Sequence, residues 1–168
     1  MVYRKSSELM VVYGDASFGG DVQSSKSVSG VMIFVFGNLI DWVSRRQSCV
    51  ALSICESEVL AIRDSAALSI FYRDLLDDLQ LVQLTAEPTL IYSDNQSAVL
   101  TLKNGGSFSR SSHYRIRVHF LRDLIKKKFI LVKHLPGREM FADILTKSVS
   151  FKLLADVMEK VGLVTTGH

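Results

Sequence analysis

The sequence predicts an α/β domain, a five-stranded mixed sheet flanked by helices. Three observations carry that prediction. Apolar runs of strand length, parted by glycine- and serine-rich turn signals, fill the first part of the chain. A helical period then takes over across 53–81. Beyond Glu87-Pro88, strand-length apolar runs alternate with helical ones. The resulting order is β-β-β-α-β-α-α-β-α with one further terminal helix.

Residues 9–17 read as the first strand, and their near-continuous apolar run suits burial on both faces. Gly19-Gly20-Asp21 is expected to end it. Residues 24–29 make a serine-rich loop carrying Lys26, and Gly30 opens a second strand through Phe36. Gly37-Asn38 is a tight-turn signal, so 39–43 is a third strand in an antiparallel hairpin. Across 53–81, Val59, Ile62, Ala66, Ile70 and Leu76 recur at helical spacing. Arg63, Asp64, Arg73, Asp74, Asp77 and Asp78 fall mostly elsewhere. Ser53 can cap this helix, with Glu56 three residues on at capping-box spacing.

The fourth strand is 89–93. Asp94 follows at once, and 95–100 starts a short helix that ends at Asn104-Gly105-Gly106. A Ser- and Arg-rich loop leads to a helix over 113–128. It carries Ile116, Phe120, Leu121 and Leu124 on one side, and its Lys126-Lys127-Lys128 end suits the helix dipole. Residues 129–132 are the fifth strand, Pro136-Gly137 a turn, and 139–147 a short helix bearing Asp143. An amphipathic helix at about 150–161 precedes a polar tail.

The 168 residues suit a single domain over 1–168, with its core at about 9–148 and the last helix appended. Apolar residues at 48 % and charged residues at 22 % argue against disorder. The net charge of +3 permits a polyanionic partner without requiring one. Cys49 and Cys55 lack a nearby His for zinc and are too few for a disulfide framework. No segment has signal-peptide form, and the longest apolar runs, such as 31–36, are too short to span a membrane. The expected setting is intracellular, cytoplasmic or nuclear.

Four acids stand at element ends. Asp15 ends the first strand, and Asp94 ends the fourth. If those strands are parallel neighbours, both carboxylates emerge on the ligand edge of the sheet. Glu58 in the long helix and Asp143 in the late short helix can face the same edge. Carboxylates gathered there repel one another without cations, so together they suit two hard divalent ions, Mg2+ first. Such a pair about 4 Å apart stabilises the attacking and leaving oxygens of phosphodiester hydrolysis. Any one of these acids alone is ordinarily a cap or a solvated charge, and Asp94 before a helix has the form of an N-cap.

The motifs carry a resemblance. The run from Tyr13-Gly14-Asp15-Ala16-Ser17 through Gly19-Gly20-Asp21, then Lys26-Ser27-Val28-Ser29-Gly30, resembles the opening of the ribonuclease H domain of copia-type LTR retrotransposon polyproteins. The similarity continues through Trp42-Val43-Ser44-Arg45-Arg46-Gln47, Val50-Ala51-Leu52-Ser53, Glu56-Ser57-Glu58 and Ile91-Tyr92-Ser93-Asp94-Asn95-Gln96-Ser97-Ala98. It ends with His113, Arg117-Val118-His119-Phe120 and Ala142-Asp143-Ile144-Leu145-Thr146-Lys147, in family order over about 9–164.

The resemblance implies a ribonuclease H-like fold and a Mg2+-dependent endonuclease, with Mn2+ the other candidate ion, that cuts the RNA strand of RNA–DNA hybrids. By position it implies Asp15, Glu58, Asp94 and Asp143 as catalytic, metal-binding acids. Glu56 is the rival of Glu58, but Glu58-Val59-Leu60-Ala61 fits the helix motif better and Glu56 fits a cap. The chain departs from the pattern at Ser17, Phe18, Cys55, Val59 and Tyr114-Arg115. His134 lies where relatives carry a mobile-loop histidine, in a segment that reads as the end of a strand.

The candidates for nucleic-acid contact are Lys26, Ser27, Arg45, Arg46, Gln47, Asn95, Gln96, Arg110, His113 and Arg117. Contacts from such residues to phosphates would position a hybrid, and 2′-hydroxyls and groove shape would discriminate RNA from DNA. The chain is too short to hold a polymerase palm as well, so a reverse transcriptase domain of a parent polyprotein is an expected partner. Three functions compete: an active hybrid-specific nuclease, a domesticated module that binds nucleic acid or a protein without cutting, and a structural connector with relic acids.

Overall fold

The computed structural model describes residues 9–104 and 112–163. Strands β1 (Met10–Asp21), β2 (Lys26–Val35) and β3 (Asn38–Arg46) form an antiparallel meander. On the other side of β1, β4 (Thr89–Ser93) and β5 (Ile130–His134) add in parallel, giving the order β3-β2-β1-β4-β5. This is the five-stranded mixed sheet flanked by helices that the sequence predicts.

Alternation along the strands divides the molecule into two layers. Val31 and Ile33 join Val12, Ile91 and Val132 in a core under helices α1 (Ile54–Asp78), α2 (Gln96–Asn104) and α3 (Ser112–Lys126). Met32 and Phe34 face the other way, with Leu39, Tyr13 and Phe141. There they meet Val157 and Val161 at the helix α4 (Phe151–Lys160).

Several elements differ from expectation for local reasons. The Gly19-Gly20 pair bends β1 instead of ending it. Gly19 takes φ 61°, the register slips between Ser17 and Asp21, and the strand runs on to pair Asp21 with Lys26. The serine-rich segment is accordingly strand from Lys26 onward. The hairpin turn draws its positive φ from Phe36 and Gly37, and the Asn38 amide donates to the Phe36 carbonyl at 2.9 Å. Residues 139–147 form 3-10 turns, Gly137–Glu139 and Phe141–Leu145, and not an α-helix.

On α3 the buried stripe is Tyr114, Val118, Leu121 and Leu124. Ile116 is 63 % exposed, because two residues from Tyr114 is about 200° around a helix. Phe120 stands two residues from Val118 and points outward for the same reason. On α1, Asp64 and Arg73 are buried despite their charge.

Two glycines let the layers close on the sheet. A Cβ on Gly14 would collide with Ser65 Oγ of α1. Gly30, the register partner of Asp15, has Ala142 O at 2.9 Å and Thr146 Cγ2 at 2.7 Å from the place a Cβ would occupy. The helix on one face and the 3-10 turn on the other therefore approach the sheet at the level of Asp15.

Candidate metal centre

Strand register brings the first two acids together. Tyr13 pairs with Tyr92 in the parallel β1–β4 ladder, so two residues further on Asp15 and Asp94 stand level. Asp15 is fully buried, and Asp94, just past β4, is half-buried. Glu58, in the first turns of α1, comes from the helical layer and is buried too. Oxygens of Asp15, Glu58 and Asp94 lie within 4.8 Å of one another, the one group of three or more His, Cys or acidic side chains so placed among the described residues.

The chain holds these carboxylates unequally. Glu58 Oε1 accepts the Ala16 N–H at 3.3 Å, and its Oε2 accepts the Ser93 hydroxyl at 3.4 Å. Asp15 Oδ2 accepts the Thr146 hydroxyl, while Asp15 Oδ1 is buried with no protein partner. A buried, unpaired carboxylate oxygen is costly.

The acid–base chemistry follows. Burial, then the neighbours Asp15 and Asp94, pushes the Glu58 carboxyl up to about 8. Burial raises Asp15 to about 6 against the lowering effect of Thr146 and Lys147. Asp94 is raised chiefly by burial. Oxygen donors this close, one of them orphaned, fit a hard divalent cation such as Mg2+ or Mn2+.

Asp143 stands outside this group of three. Its Oδ1 accepts from Lys147 Nζ at 2.9 Å, and the same ammonium lies 3.5 Å from Asp15 Oδ2. Burial alone would lower the Lys147 pKa, but Asp143, Asp15 and Asp94 outweigh it and hold it above the ordinary value. His134 ends β5 with Nε2 3.0 Å from the Asp94 carbonyl oxygen. Glu56 points elsewhere. Its N–H donates to Ser53 Oγ at 3.1 Å and its Oε2 accepts the Leu52 N–H at 2.9 Å, so it serves the helix cap. The cap of α2 is Asn95, whose Oδ1 accepts the Ala98 N–H at 2.8 Å, and this leaves Asp94 free of that role.

The candidates for nucleic-acid contact divide. Ser27 and Gln47 are both buried. Ser27 Oγ accepts the Gly19 N–H at 3.1 Å, and Gln47 Nε2 donates to Ser29 Oγ and the Ser57 carbonyl, both at 2.9 Å. They tie β1, β2 and α1 together. Arg45 pairs with Asp64 at 2.8 Å and Arg46 with Asp21 at 2.9 Å, both with side chains more than half exposed. Gln96 and His113 are exposed, and Lys26 and Arg117 half-buried. By topology the end of β3, the start of β2 and the N-termini of α2 and α3 share the edge that carries Asp15. Arg110 lies outside the described residues. Sequence reasoning did not single out Ser93, Thr146 or Lys147, although the i, i+4 spacing of Asp143 and Lys147 was a usable signal.

No family model matches the chain. The Retrovirus-related Pol polyprotein from transposon TNT 1-94 of Nicotiana tabacum is 32 % identical to it over 158 residues, which is 94 % of this chain and 12 % of that polyprotein. The chain thus spans only about a tenth of the length of such relatives. Among solved structures, LC11-RNase H1 in complex with an RNA/DNA hybrid superposes with a TM-score of 0.58 at 15 % identity, covering 86 % of this chain and 99 % of that one. The foamy viral protease-reverse transcriptase in complex with an RNA/DNA hybrid gives 0.53 at 14 % identity, covering 87 % of this chain and 20 % of that one. At such identities the likeness is one of fold. No helix among the described residues is long and apolar enough to cross a membrane.

Proposed function

Because the chain is a homologue of one segment of retrotransposon Pol polyproteins and has the ribonuclease H fold, we propose that it is a divalent-metal-dependent endonuclease hydrolysing the RNA strand of RNA–DNA hybrids. The observation that carries this reading is the buried meeting of Asp15, Glu58 and Asp94, with Asp15 Oδ1 left unpaired. In this proposal those three hold one Mg2+ or Mn2+, and Asp15 with Asp143 holds a second. Bound there, the ions supply Lewis-acid stabilisation of the attacking and leaving oxygens.

The chain's own groups set the stage. Ala16 N–H and the Ser93 hydroxyl fix the Glu58 carboxylate, and the Thr146 hydroxyl fixes Asp15. Lys26, Arg45, Arg46, Gln96, His113 and Arg117 are proposed to meet the phosphates of the hybrid along the same edge. The reverse transcriptase portion of a parent polyprotein is the proposed partner.

The test is cleavage of a labelled RNA–DNA hybrid in Mg2+, wild type beside Asp94→Asn. The expected result is RNA-strand cleavage by wild type and a loss on the order of 10³-fold in the variant. If wild type leaves the RNA intact and the variant behaves identically, the nuclease reading is wrong. Salt-sensitive hybrid binding without cleavage would then select the non-cutting module.

A further inference from the structure

The proposed metal centre contains a cation supplied by the chain itself. Lys147 Nζ sits 2.9 Å from Asp143 Oδ1 and 3.5 Å from Asp15 Oδ2, so the ammonium bridges the two carboxylates proposed for the second ion. It makes its ion pairs there and not with Glu58 or Asp94, which offer oxygens on the side of the cluster where Asp15 Oδ1 has no protein partner, although its charge is felt at both. One acidic site therefore has two unlike halves: the gathered carboxylate oxygens of Asp15, Glu58 and Asp94, and the pair Asp15 and Asp143 bridged by an ammonium.

The side chain that bridges them is built to move. Lys147 is 44 % exposed, lies just beyond the 3-10 turn Phe141–Leu145, and reaches Asp143 across an i, i+4 step. Its stem can swing to solvent without disturbing the core. Charge gives the same reading. One divalent ion plus the ammonium brings three positive charges to Asp15, Glu58, Asp94 and Asp143, and a second ion can replace the ammonium but gains little beside it. A metal ion binds oxygen at about 2.0–2.1 Å for Mg2+ and competes for the lone pairs that the ammonium takes.

We propose that Lys147 is a positioning residue that holds the second-ion half of the centre, so that the two ions bind in order and the second must displace the ammonium. This rests on the metal-centre reading above, and the test separates the two. Mn2+ alone is titrated by calorimetry into the full chain as wild type, Lys147→Gln and Lys147→Arg, without nucleic acid. Wild type is expected to take one ion tightly and a second weakly. In Lys147→Gln the second ion should bind roughly five- to tenfold tighter, with the first little changed, as expected from removing one partly exposed charge. Lys147→Arg keeps the cation and should retain the wild-type pattern.

A second-ion affinity in Lys147→Gln equal to or weaker than wild type overturns the proposal, as does a Lys147→Arg titration that copies Lys147→Gln. Absence of Mn2+ uptake in all three proteins would instead overturn the metal centre itself, and this inference with it. Melting temperature in EDTA, which a fold defect would lower, checks that the exposed substitution leaves the protein folded.

Discussion

Of the buried charges on helix α1, Glu58 near its start and Arg73 fifteen residues later lie about 22 Å apart, and the chain treats these two oppositely. Arg73 has partners for both its terminal nitrogens. Its guanidinium donates to the Glu87 carbonyl at 2.9 Å, Thr89 Oγ1 at 3.2 Å and the Thr85 carbonyl, and it lies over the Phe129 ring with its central carbon 5.7 Å from the centroid. Glu58 is placed among other acids, has two long hydrogen bonds, and is raised to about 8. Arg73 fastens the segment between α1 and β4 to the end of the sheet away from the acids. Glu58 has no ion-pair partner of its own, because the Lys147 ammonium is taken by Asp143 and Asp15. A buried charge whose partners are complete is structural, and one whose partners are incomplete is where a ligand belongs.

The hardest test sets Glu58 beside Glu56, a buried glutamate whose partners are those of a helix cap, and replaces each with its neutral isostere. Glu58→Gln should lower Mg2+-dependent hybrid cleavage on the order of 10³-fold. Glu56→Gln should cost only about 1 kcal/mol of stability through the cap and leave cleavage nearly intact. Equal losses in a cleavage assay would erase the distinction between the two glutamates.

Packing is expected to transmit almost as strongly. Gly30→Ala forces a methyl group against the Ala142 carbonyl and Leu145 Cβ, each 2.9 Å from its Cβ position, and so shifts the turn that carries Asp143 and Lys147. Cleavage should fall by about 10²-fold, as for a misplacement of about 1 Å, while circular dichroism keeps its native form. Unchanged cleavage would show that the turn does not position the site.

The structural charge should behave in the opposite way. Arg73→Met leaves the Thr85 and Glu87 carbonyls without their donor, and urea unfolding should show a loss of about 3 kcal/mol. Cleavage per folded molecule at low temperature should stay near wild type.

The smallest effect is one of pH. Asp15 and Glu58 have ordinary values of 3.8 and 4.5 and folded values of about 6 and about 8. Between those limits the folded state holds more protons than the unfolded one. Their contribution therefore favours the native protein at low pH and is lost as pH rises through the folded values. In EDTA the urea midpoint should fall from pH 5 to pH 8. Divalent cation should flatten the fall, and so should Glu58→Gln. A midpoint that rises with pH in EDTA would show that these acids do not dominate.

Much of this was legible in the chain. Strand runs with turn signals and one long helical period encode their own geometry, so five strands, their order along the chain and the extent of α1 follow from local pattern. The two glutamates were separable too, because Ser53 and Glu56 announce a cap. Asp94 stood out as an acid just past a strand end, whereas Asp15, expected to end the first strand, lies within β1, which runs on to Asp21. Local pattern is silent on what contacts across the fold decide. Gly19-Gly20 looks like a terminator until β2 pairs beyond it, and Ser27 and Gln47 look like surface donors until β1, β2 and α1 enclose them. Arg73 reads as solvated until the segment before β4 supplies carbonyls and β4 a hydroxyl. The ammonium of Lys147 faces Asp15, 132 positions earlier in the sequence, only because Gly30 lets the last turn close on the sheet. Local pattern was enough to say which elements form and which residues carry charge. Which of those charges lack partners was settled by contacts across the fold, because partners are brought from distant elements that no local period can place.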